Sequence, residues 1–398
     1  MKITKIEDFH ADGGWRTLSF LKVTTDEGIV GWCEFNETVW NPGLTQVIRR
    51  LASTVLGEDP MQIGRLTMVL HATTRMVPGG LMQQAIAAIE NACLDIKGKA
   101  LGVPVYALFS GPYRQRIPLY WSHCGTFRVR EPRLFETTIG TPALRTLDDF
   151  KKLGQEALRR GWKAVKTNPI VFAKEGPYWP NPGFSRAGID LANNCDGRVV
   201  AAVADQMAAL REGLGPTPEL MLDLNFSMKP EGFIQCSRAV ESSRLTWLEM
   251  DLHEPGALAQ VRRRGGSTPL ASLEAVYGRR GYRPFLEQQS VDFAIVDVIW
   301  NGFAEALRIA EMAESFEVNV APHNFYGHLA SMISGHFCAA VPNVKIMEYE
   351  ADDVPWKDDL FTARPVIQAG ELILPSSPGW GMDVNEEALR THPPRQAR

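Results

Sequence analysis

The sequence has no long hydrophobic run and no strong excess of charge of either sign. Its 398 residues include 42 lysines and arginines against 46 aspartates and glutamates, a formal net charge of −4. We therefore expect neither a nucleic acid nor an anionic membrane as a partner. No stretch reaches the ~18 apolar residues of a membrane-spanning helix, and the N-terminal segment lacks the apolar core of a signal peptide. We expect a cytoplasmic protein.

Cysteine is scarce, and its spacing is not that of a zinc site or a redox pair. The six cysteines are Cys33, Cys93, Cys124, Cys195, Cys236 and Cys338. Most lie in apolar stretches, which predicts buried free thiols in a reducing compartment. The core must then come from hydrophobic residues, which make up 45% of the chain.

The first third of the chain indicates a small α+β domain. Residues 1–35 alternate in the manner of strands, with a turn at residues 26–28. From about residue 46 to residue 108 the apolar spacing becomes helical, and Gly102 ends its clearest run.

From Ile117 onward, short apolar strands alternate with amphipathic helices, the pattern of a parallel sheet. The eight candidate strands are IPLYWSH, WKAVKTN, ELMLDLN, LTWLEM, PLASLE, FAIVDV, VNVAPH and VKIMEYE. A closed barrel is the simplest arrangement because it leaves no edge strand. After Tyr349 the pattern changes to strands and turns that we expect to return toward the first domain.

Every predicted strand ends in polar or charged residues. In chain order these are Ser122 and His123, Lys166 and Asn168, Asp223 and Asn225, Glu249, Glu274, Asp297, His323 and Glu348. Barrel enzymes carry their chemistry at the carboxyl ends of the strands, so eight such endings favour a functional ring over solvated strand ends. Asp223, Glu249 and Glu274 predict a Mg²⁺ site, because rigidly held carboxylate oxygens suit a small, hard cation.

Several segments together resemble the mandelate racemase branch of the enolase superfamily over essentially the whole chain. They are AAIENACLDIKGKALGVPVYALFSG, GWKAVKTN, LDLN, WLE, LASLE, IVDVIWNG, APHNFYGHLA and PSSPGWGMDVNEEAL. The resemblance implies an α/β fold: a (β/α)7β barrel with an α+β capping domain that the C-terminal segment completes. The expected divisions are residues 1–115 for the capping domain, 116–350 for the barrel and 351–398 for the returning segment.

The resemblance also implies a reaction, removal of a proton from the carbon next to a carboxylate with the help of Mg²⁺. The implied catalytic residues are Lys166, His323, Asp297 and Glu348. Lys166 would be a base or a cation that assists the enolate. His323 would pair with Asp297 on the opposite face of the substrate, and Glu348 would hydrogen-bond to the enolate.

One position departs from the family pattern. Many relatives carry Lys-x-Lys at the second strand, whereas this chain has Lys166 and then Asn168. An amide cannot take a proton at neutral pH, which argues against a racemase with a base on each face. A dehydratase needs less symmetry, and His323 could remove the α-proton and also assist departure of the β-hydroxyl.

Some of these residues have alternative roles that the sequence leaves open. Asp297 could cap the following helix, and Glu254 competes with Glu249 as the metal ligand, although Glu249 ends the apolar run directly. His328 and His336 have helical spacing, which favours a role in packing or in supporting the site residues.

The predicted substrate contacts combine aromatic rings with hydrogen-bonding groups, which suits a sugar acid. They are Trp15, Arg16, His123, Asn168 and Asn225. For Arg16 the sequence favours a surface position over a pairing with a distal carboxylate. Further polar or aromatic positions without an assigned role are Asn36, Trp40, Asn41, Arg186, Asn193 and Asn194.

The sequence therefore predicts Mg²⁺-dependent dehydration of an aldonic or aldaric acid to a 2-keto-3-deoxy acid. The alternatives are a racemase, epimerase or cycloisomerase of the same superfamily, and a non-catalytic homologue that binds a sugar acid. A homo-oligomer is expected because such barrels often assemble symmetrically and the tryptophans suggest exposed contacts. The sequence does not specify the sugar acid.

Overall fold

The structure is a computed structural model. It describes residues 1–38, 41–109, 111–180 and 197–395. The sequence predictions that lie outside the described residues concern Trp40, Arg186, Asn193, Asn194 and Cys195.

The N-terminal part is a three-stranded antiparallel sheet packed on helices. Its elements are β1 (Ile3–Asp12), β2 (Thr17–Thr25), β3 (Val30–Phe35), α1 (Leu44–Val55), α2 (Ile63–Thr73) and α3 (Gly80–Leu101). Helix α3 ends where the sequence predicts, because Gly102 takes the left-handed conformation (φ 68°) that only glycine adopts at little cost.

Most of the remaining strands alternate with helices. The strands are β4 (Arg116–Trp121), β5 (Ala164–Thr167), β6 (Val171–Ala173), β7 (Gly176–Tyr178), β8 (Glu219–Asp223), β9 (Trp247–Glu249), β10 (Leu270–Ser272), β11 (Phe293–Asp297), β12 (Asn319–His323), β13 (Met347–Tyr349), β14 (Val366–Gln368) and β15 (Glu371–Ile373). The helices are α4 (Thr126–Arg130), α5 (Pro132–Leu134), α6 (Leu147–Arg159), α7 (Gly197–Leu214), α8 (Pro230–Ala239), α9 (Pro255–Arg264), α10 (Gly278–Glu287), α11 (Val298–Asn301), α12 (Phe303–Glu314), α13 (His328–Ala340) and α14 (Glu386–Thr391).

Eight of these strands form the predicted parallel barrel. Strand β13 pairs with β4, and the order then runs through β5, β8, β9, β10, β11 and β12. The last gap is closed by Val320, which accepts from the Lys345 N–H and donates to the Asn343 carbonyl, both at 2.9 Å. Each predicted strand is therefore present, and the fold class inferred from the sequence is confirmed.

The two parts are tied together by buried carboxylates at the beginnings of barrel helices. Glu34 on β3 accepts from the N–H groups of Gly327 (2.6 Å) and Ala330 (3.0 Å) at the start of α13. Glu90 on α3 accepts from the N–H of Ala304 (2.8 Å) at the start of α12. The N-terminus of a helix has unpaired N–H groups and a partial positive charge. A buried carboxylate there accepts hydrogen bonds from those groups and is stabilised by that charge.

The C-terminal segment contacts both parts. Strand β15 pairs antiparallel with β4, at the opposite end of that strand from the predicted ring. Further on, Trp380 donates its backbone N–H to Asp95 and its indole N–H to the Trp32 carbonyl of the N-terminal part.

Two other properties bear on location and assembly. No helix in the described residues is long and apolar enough to cross a membrane. None of the tryptophans in the described ranges is more than partly exposed. The contribution of tryptophans to subunit contacts stays a prediction.

Candidate active site

The period of a β-strand explains why the polar strand endings meet at one point. The barrel interior is filled by a buried layer of Tyr120, Ala164, Met221, Trp247, Ala271, Ile295, Ala321 and Ile346. Strand residues two apart face the same side. Residues two positions after this layer therefore also point to the barrel axis, and they are Ser122, Lys166, Asp223, Glu249, Leu273, Asp297, His323 and Glu348.

Glu274 is the exception, since it follows the interior layer by three residues rather than two. The backbone of Leu273 makes the adjustment with a φ of 93°, a strained value for a leucine. Asp251 supports this conformation by accepting hydrogen bonds from the Leu273 N–H (3.2 Å) and the Ser272 hydroxyl (3.1 Å). The sequence analysis missed Asp251, although it stands two residues after Glu249.

The three predicted metal ligands lie together. Asp223, Glu249 and Glu274 each offer an oxygen within 4.8 Å of the others. Oε1 of Glu249 is buried and has no hydrogen-bond partner among the described residues. Burial raises the pKa of Glu249 to about 7 and also raises the pKa of Asp223 and of Glu274. Positive charge is needed to keep all three ionised, and three carboxylates are a donor set that fits Mg²⁺.

Glu254, the alternative ligand, does not reach this cluster. It is exposed and caps the N-terminus of α9, where it accepts from the Gly256 N–H at 3.4 Å. The preference for Glu249 agrees with this geometry.

Lys166 is held by the carboxylates of the site. Its Nζ lies 2.9 Å from Glu249, 3.2 Å from Glu348 and 3.8 Å from Asp223. Burial alone would lower the pKa of Lys166, but the charges of Glu249 and Glu348 outweigh it and raise the pKa well above the usual value. This arrangement favours a cation that stabilises negative charge over a base.

His323 and Asp297 form the predicted pair. Nδ1 of His323 lies 2.7 Å from Oδ2 of Asp297, and Nε2 lies 3.5 Å from Glu274 on the side of the metal ligands. Burial would lower the pKa of His323, yet the acidic neighbours Glu274 and Asp297 raise it to about 10. Tyr326, which the sequence analysis missed, donates its hydroxyl to the same Asp297 oxygen at 2.5 Å.

Glu348 lies between the two sides of the ring. It accepts hydrogen bonds from the Ser122 hydroxyl and, at 2.7 Å, from the Asn324 N–H. Burial would raise the pKa of Glu348, but the cations Lys166 and His323 lower it to about 2. In this arrangement Glu348 is an ionised carboxylate that accepts hydrogen bonds, and the nearby Lys166 is a hydrogen-bond donor.

The two asparagines predicted to bind substrate both form hydrogen bonds with Asp223, a predicted metal ligand. Asn225 donates to Asp223 from its backbone (2.8 Å) and from its side chain (3.0 Å). Asn168 donates to the Asp223 carbonyl at 3.2 Å and accepts from the Thr126 hydroxyl at 2.9 Å. Both amides therefore orient Asp223.

The remaining predicted substrate residues lie at the mouth of the barrel. Trp15 stacks on Phe127 with ring centroids 4.8 Å apart, and Phe127 in turn contacts the His123 ring at 4.8 Å. The prediction that Arg16 lies at the surface is wrong. Its side chain is only 4% exposed and forms an ion pair with Asp353 at 2.6 Å.

Two histidines have the packing role that the sequence favours. His328 lies 2.8 Å from Asp358, and His336 lies 3.3 Å from the Trp380 carbonyl. Burial lowers the pKa of His328 to about 4 and of His336 to about 3. They are neutral core residues.

Comparison with family models matches the chain in two blocks. Residues 149–388 match the enolase C-terminal domain-like family, and residues 13–110 match the mandelate racemase / muconate lactonizing enzyme N-terminal domain. The chain belongs to the enolase superfamily. The resemblance inferred from the sequence segments is thus confirmed.

Curated relatives that match over nearly their full length include two kinds of sugar-acid dehydratase. D-xylonate dehydratase of Haloferax volcanii is 27% identical and is matched over 98% of this chain and 89% of its own length. D-galactonate dehydratase of Xanthomonas axonopodis pv. citri is 28% identical, over 98% of this chain and 94% of its own.

A similar solved structure comes from Burkholderia xenovorans LB400 and is named as a proposed L-alanine-DL-glutamate epimerase. It is 43% identical, has a TM-score of 0.95, and is matched over 99% of both chains. A second structure of that protein, with a TM-score of 0.95, contains magnesium and fumarate and is matched over 99% of this chain and 96% of its own. A divalent cation in this enolase-superfamily site is therefore consistent with both the donor set and a relative.

Proposed function

We propose that the protein is a Mg²⁺-dependent hydro-lyase that converts an aldonic or aldaric acid to the 2-keto-3-deoxy acid. The observation that carries this proposal is the asymmetry of the ring. His323, oriented by Asp297, stands on one side, and on the other side the position of the usual second lysine is occupied by Asn168. The curated names of two relatives, both sugar-acid dehydratases, support the same reaction.

The residues suit removal of an α-proton followed by loss of a β-hydroxyl. Nδ1 of His323 is engaged by Asp297, so Nε2 is the nitrogen that accepts the α-proton as the C–H bond breaks. A cation held by Asp223, Glu249 and Glu274 would offset the charge of Glu274 that raises the pKa of His323, and so free Nε2 for this role. The electron pair first delocalises into the substrate carboxylate as an enolate, and it then forms the C2–C3 double bond as the C3–O bond breaks. The imidazolium returns the proton to the departing hydroxide as water, and the resulting enol tautomerises to the keto acid.

Charge on the substrate carboxylate is the main obstacle, because loss of the α-proton adds a second negative charge to it. Asp223, Glu249 and Glu274 would hold Mg²⁺, which when bound supplies a Lewis acid for that carboxylate. Lys166 adds a second positive charge within reach of Glu348 and the metal ligands. Both effects act before any proton moves, since the groups are buried and already oriented.

An epimerase is the second candidate, because the similar Burkholderia protein carries that name. It would need a second base, and Lys166 could serve only after release from Glu249 and Glu348. Exchange of the α-proton in deuterated water without dehydration would identify an epimerase. Metal-dependent binding without turnover would identify a non-catalytic homologue.

The direct test is a screen of purified protein with Mg²⁺ against aldonic and aldaric acids, with the 2-keto product detected by semicarbazide. Turnover of acids that share one configuration at carbons 2 and 3, lost in His323→Asn while Mg²⁺ affinity is kept, would support the proposal. Turnover retained in His323→Asn would remove this histidine from the reaction. We also propose that the protein acts on its small substrate as a homo-oligomer, without a nucleic-acid or membrane partner.

A further inference from the structure

Two buried cations share one carboxylate at the mouth of the barrel. Nη2 of Arg16 and Nζ of Lys357 both lie 2.6 Å from Oδ2 of Asp353, and both donate to the Tyr326 carbonyl, at 3.3 and 3.2 Å. The two cationic side chains are each only 4% exposed. Among the described contacts Asp353 is the one carboxylate that pairs with either cation, and the charges of Glu34 and Glu350 act on both without a hydrogen bond to them.

The guanidinium of Arg16 has hydrogen-bonding capacity that the protein does not use. Its Nε and Nη1 atoms are buried and have no partner among the described residues, and the same holds for the indole nitrogen of Trp15. Buried donors without acceptors are unfavourable and uncommon in native structures. Three of them on two consecutive residues indicate an acceptor that comes from outside the chain.

The carboxyl group of Glu350 does not fill this role. Its Oε2 lies 2.9 Å from Nδ1 of His123, and no hydrogen bond joins it to Arg16 among the described contacts. Burial raises the pKa of Glu350 well above its usual value, and the charge of Arg16 offsets this only in part.

The position of Arg16 relates it to the reacting end of the site. The Tyr326 carbonyl accepts from Arg16, while the Tyr326 hydroxyl donates to Asp297, the partner of His323. On the other side, the Trp15 ring stacks on Phe127, which contacts His123 beside the strand ends. Arg16 thus lies at the mouth of the barrel, and Tyr326 contacts both Arg16 and the acid–base pair.

We propose that Arg16 binds a second carboxylate at the far end of the substrate, so that the preferred substrates are aldaric acids and not aldonic acids. The inference rests on the proposed function, because it assumes that the first carboxylate lies at the metal ligands. It differs from the two curated relatives, whose names specify aldonates with an uncharged far end.

The test compares acids that differ only at the far end. Dissociation constants are measured by calorimetry with Mg²⁺ in the His323→Asn background, which prevents turnover, for galactarate against galactonate and for glucarate against gluconate. We expect at least one diacid to bind about tenfold or more tightly than its partner, the range of a charge-assisted pair. Arg16→Gln should reduce this ratio to within about threefold of one.

Lys357→Gln is the matched control, since Lys357 contacts the same Asp353 oxygen and the same carbonyl as Arg16. It should keep the diacid preference. Each ratio is measured within one preparation, so partial unfolding of a variant cancels, and Arg16→Lys provides a second variant that keeps the charge. A ratio near one in the parent, no binding of any diacid, or an equal loss in Lys357→Gln would overturn the inference.

The result is separable from the proposed function. Dehydration of sugar acids without a diacid preference would overturn only the role of Arg16. A diacid preference without dehydration of any acid by the unmodified protein would overturn the proposed function and leave the role of Arg16 standing.

Discussion

Asp297 uses its two carboxylate oxygens for two separate tasks. Oδ2 accepts from Nδ1 of His323 at 2.7 Å, and Oδ1 accepts from the Trp300 N–H at 2.8 Å, which caps helix α11. The helix cap and the histidine pairing, which the sequence presents as alternatives, are therefore both present. The cap fixes the carboxylate, and the carboxylate fixes the tautomer and orientation of the imidazole.

Asp297→Asn should separate these tasks. An asparagine oxygen can still cap α11, but the negative charge beside His323 is lost. We expect kcat to fall by about a hundredfold or more while the thermal unfolding midpoint changes little. Tyr326→Phe removes only the hydrogen bond to the same oxygen and should cost less. A larger loss in Tyr326→Phe than in Asp297→Asn would contradict the assignment of roles.

Lys166→Met should impair turnover strongly. The substitution removes the buried cation that lies 2.9 Å from Glu249 and 3.2 Å from Glu348. A loss of ~3 kcal/mol of transition-state stabilisation would lower kcat/KM by about a hundredfold. Steady-state kinetics on the substrate found by the screen provide the measurement. A decrease of less than about threefold would assign Lys166 a structural role.

Glu249→Gln and Glu254→Gln form a matched pair that tests the metal ligands. Glu249 is buried in the carboxylate cluster, whereas Glu254 is exposed at the start of α9. We expect Mg²⁺ affinity, measured by calorimetry, to fall by about tenfold or more in Glu249→Gln and to stay within about twofold in Glu254→Gln. The reverse order would mean that the metal binds elsewhere.

Glu90 should make the free energy of unfolding depend on pH. Burial raises the pKa of Glu90 from 4.5 to about 7. A carboxyl group with a raised folded-state pKa contributes stability that is present below pH 4.5 and is lost as pH rises through about 7. Glu90→Gln removes this dependence and keeps an acceptor for the Ala304 N–H.

Between pH 5 and pH 8 the stability of Glu90→Gln relative to the unmodified protein should therefore rise by up to about 3 kcal/mol. Denaturant unfolding at both pH values measures this difference. Glu311→Gln, at an exposed position on α12, should show no such trend. Parallel pH profiles for Glu90→Gln and the unmodified protein would show that Glu90 is ionised throughout.

The sequence alone predicts the barrel and most of the ring, because both depend on local periodicity. Side chains alternate between the two faces of a strand, so the residues at the strand ends that face the barrel axis can be identified from the sequence. They include Lys166, Asp223, Glu249, Asp297 and His323. Helix α3 and its end at Gly102 follow in the same way from helical spacing and a glycine stop. No tertiary contact is needed for these predictions.

Other features depend on residues far apart in the chain, so only the tertiary structure decides them. The burial of Arg16 depends on Asp353, 337 positions away, and the anchoring of α13 depends on Glu34. Asp251 and Tyr326 acquire their roles from Leu273 and Asp297, which they reach only after the barrel closes.

The physical reason for this division is the range of the forces involved. Side-chain direction along a strand or helix is set by backbone geometry within a few residues, so the sequence by itself determined the strands of the barrel and which strand-end residues face its axis. Pairing of buried charges depends on which surfaces meet after folding, since desolvation makes an unpaired charge costly wherever it lies. That requirement, met only in three dimensions, decided the position of Arg16 and the orientation of Glu274.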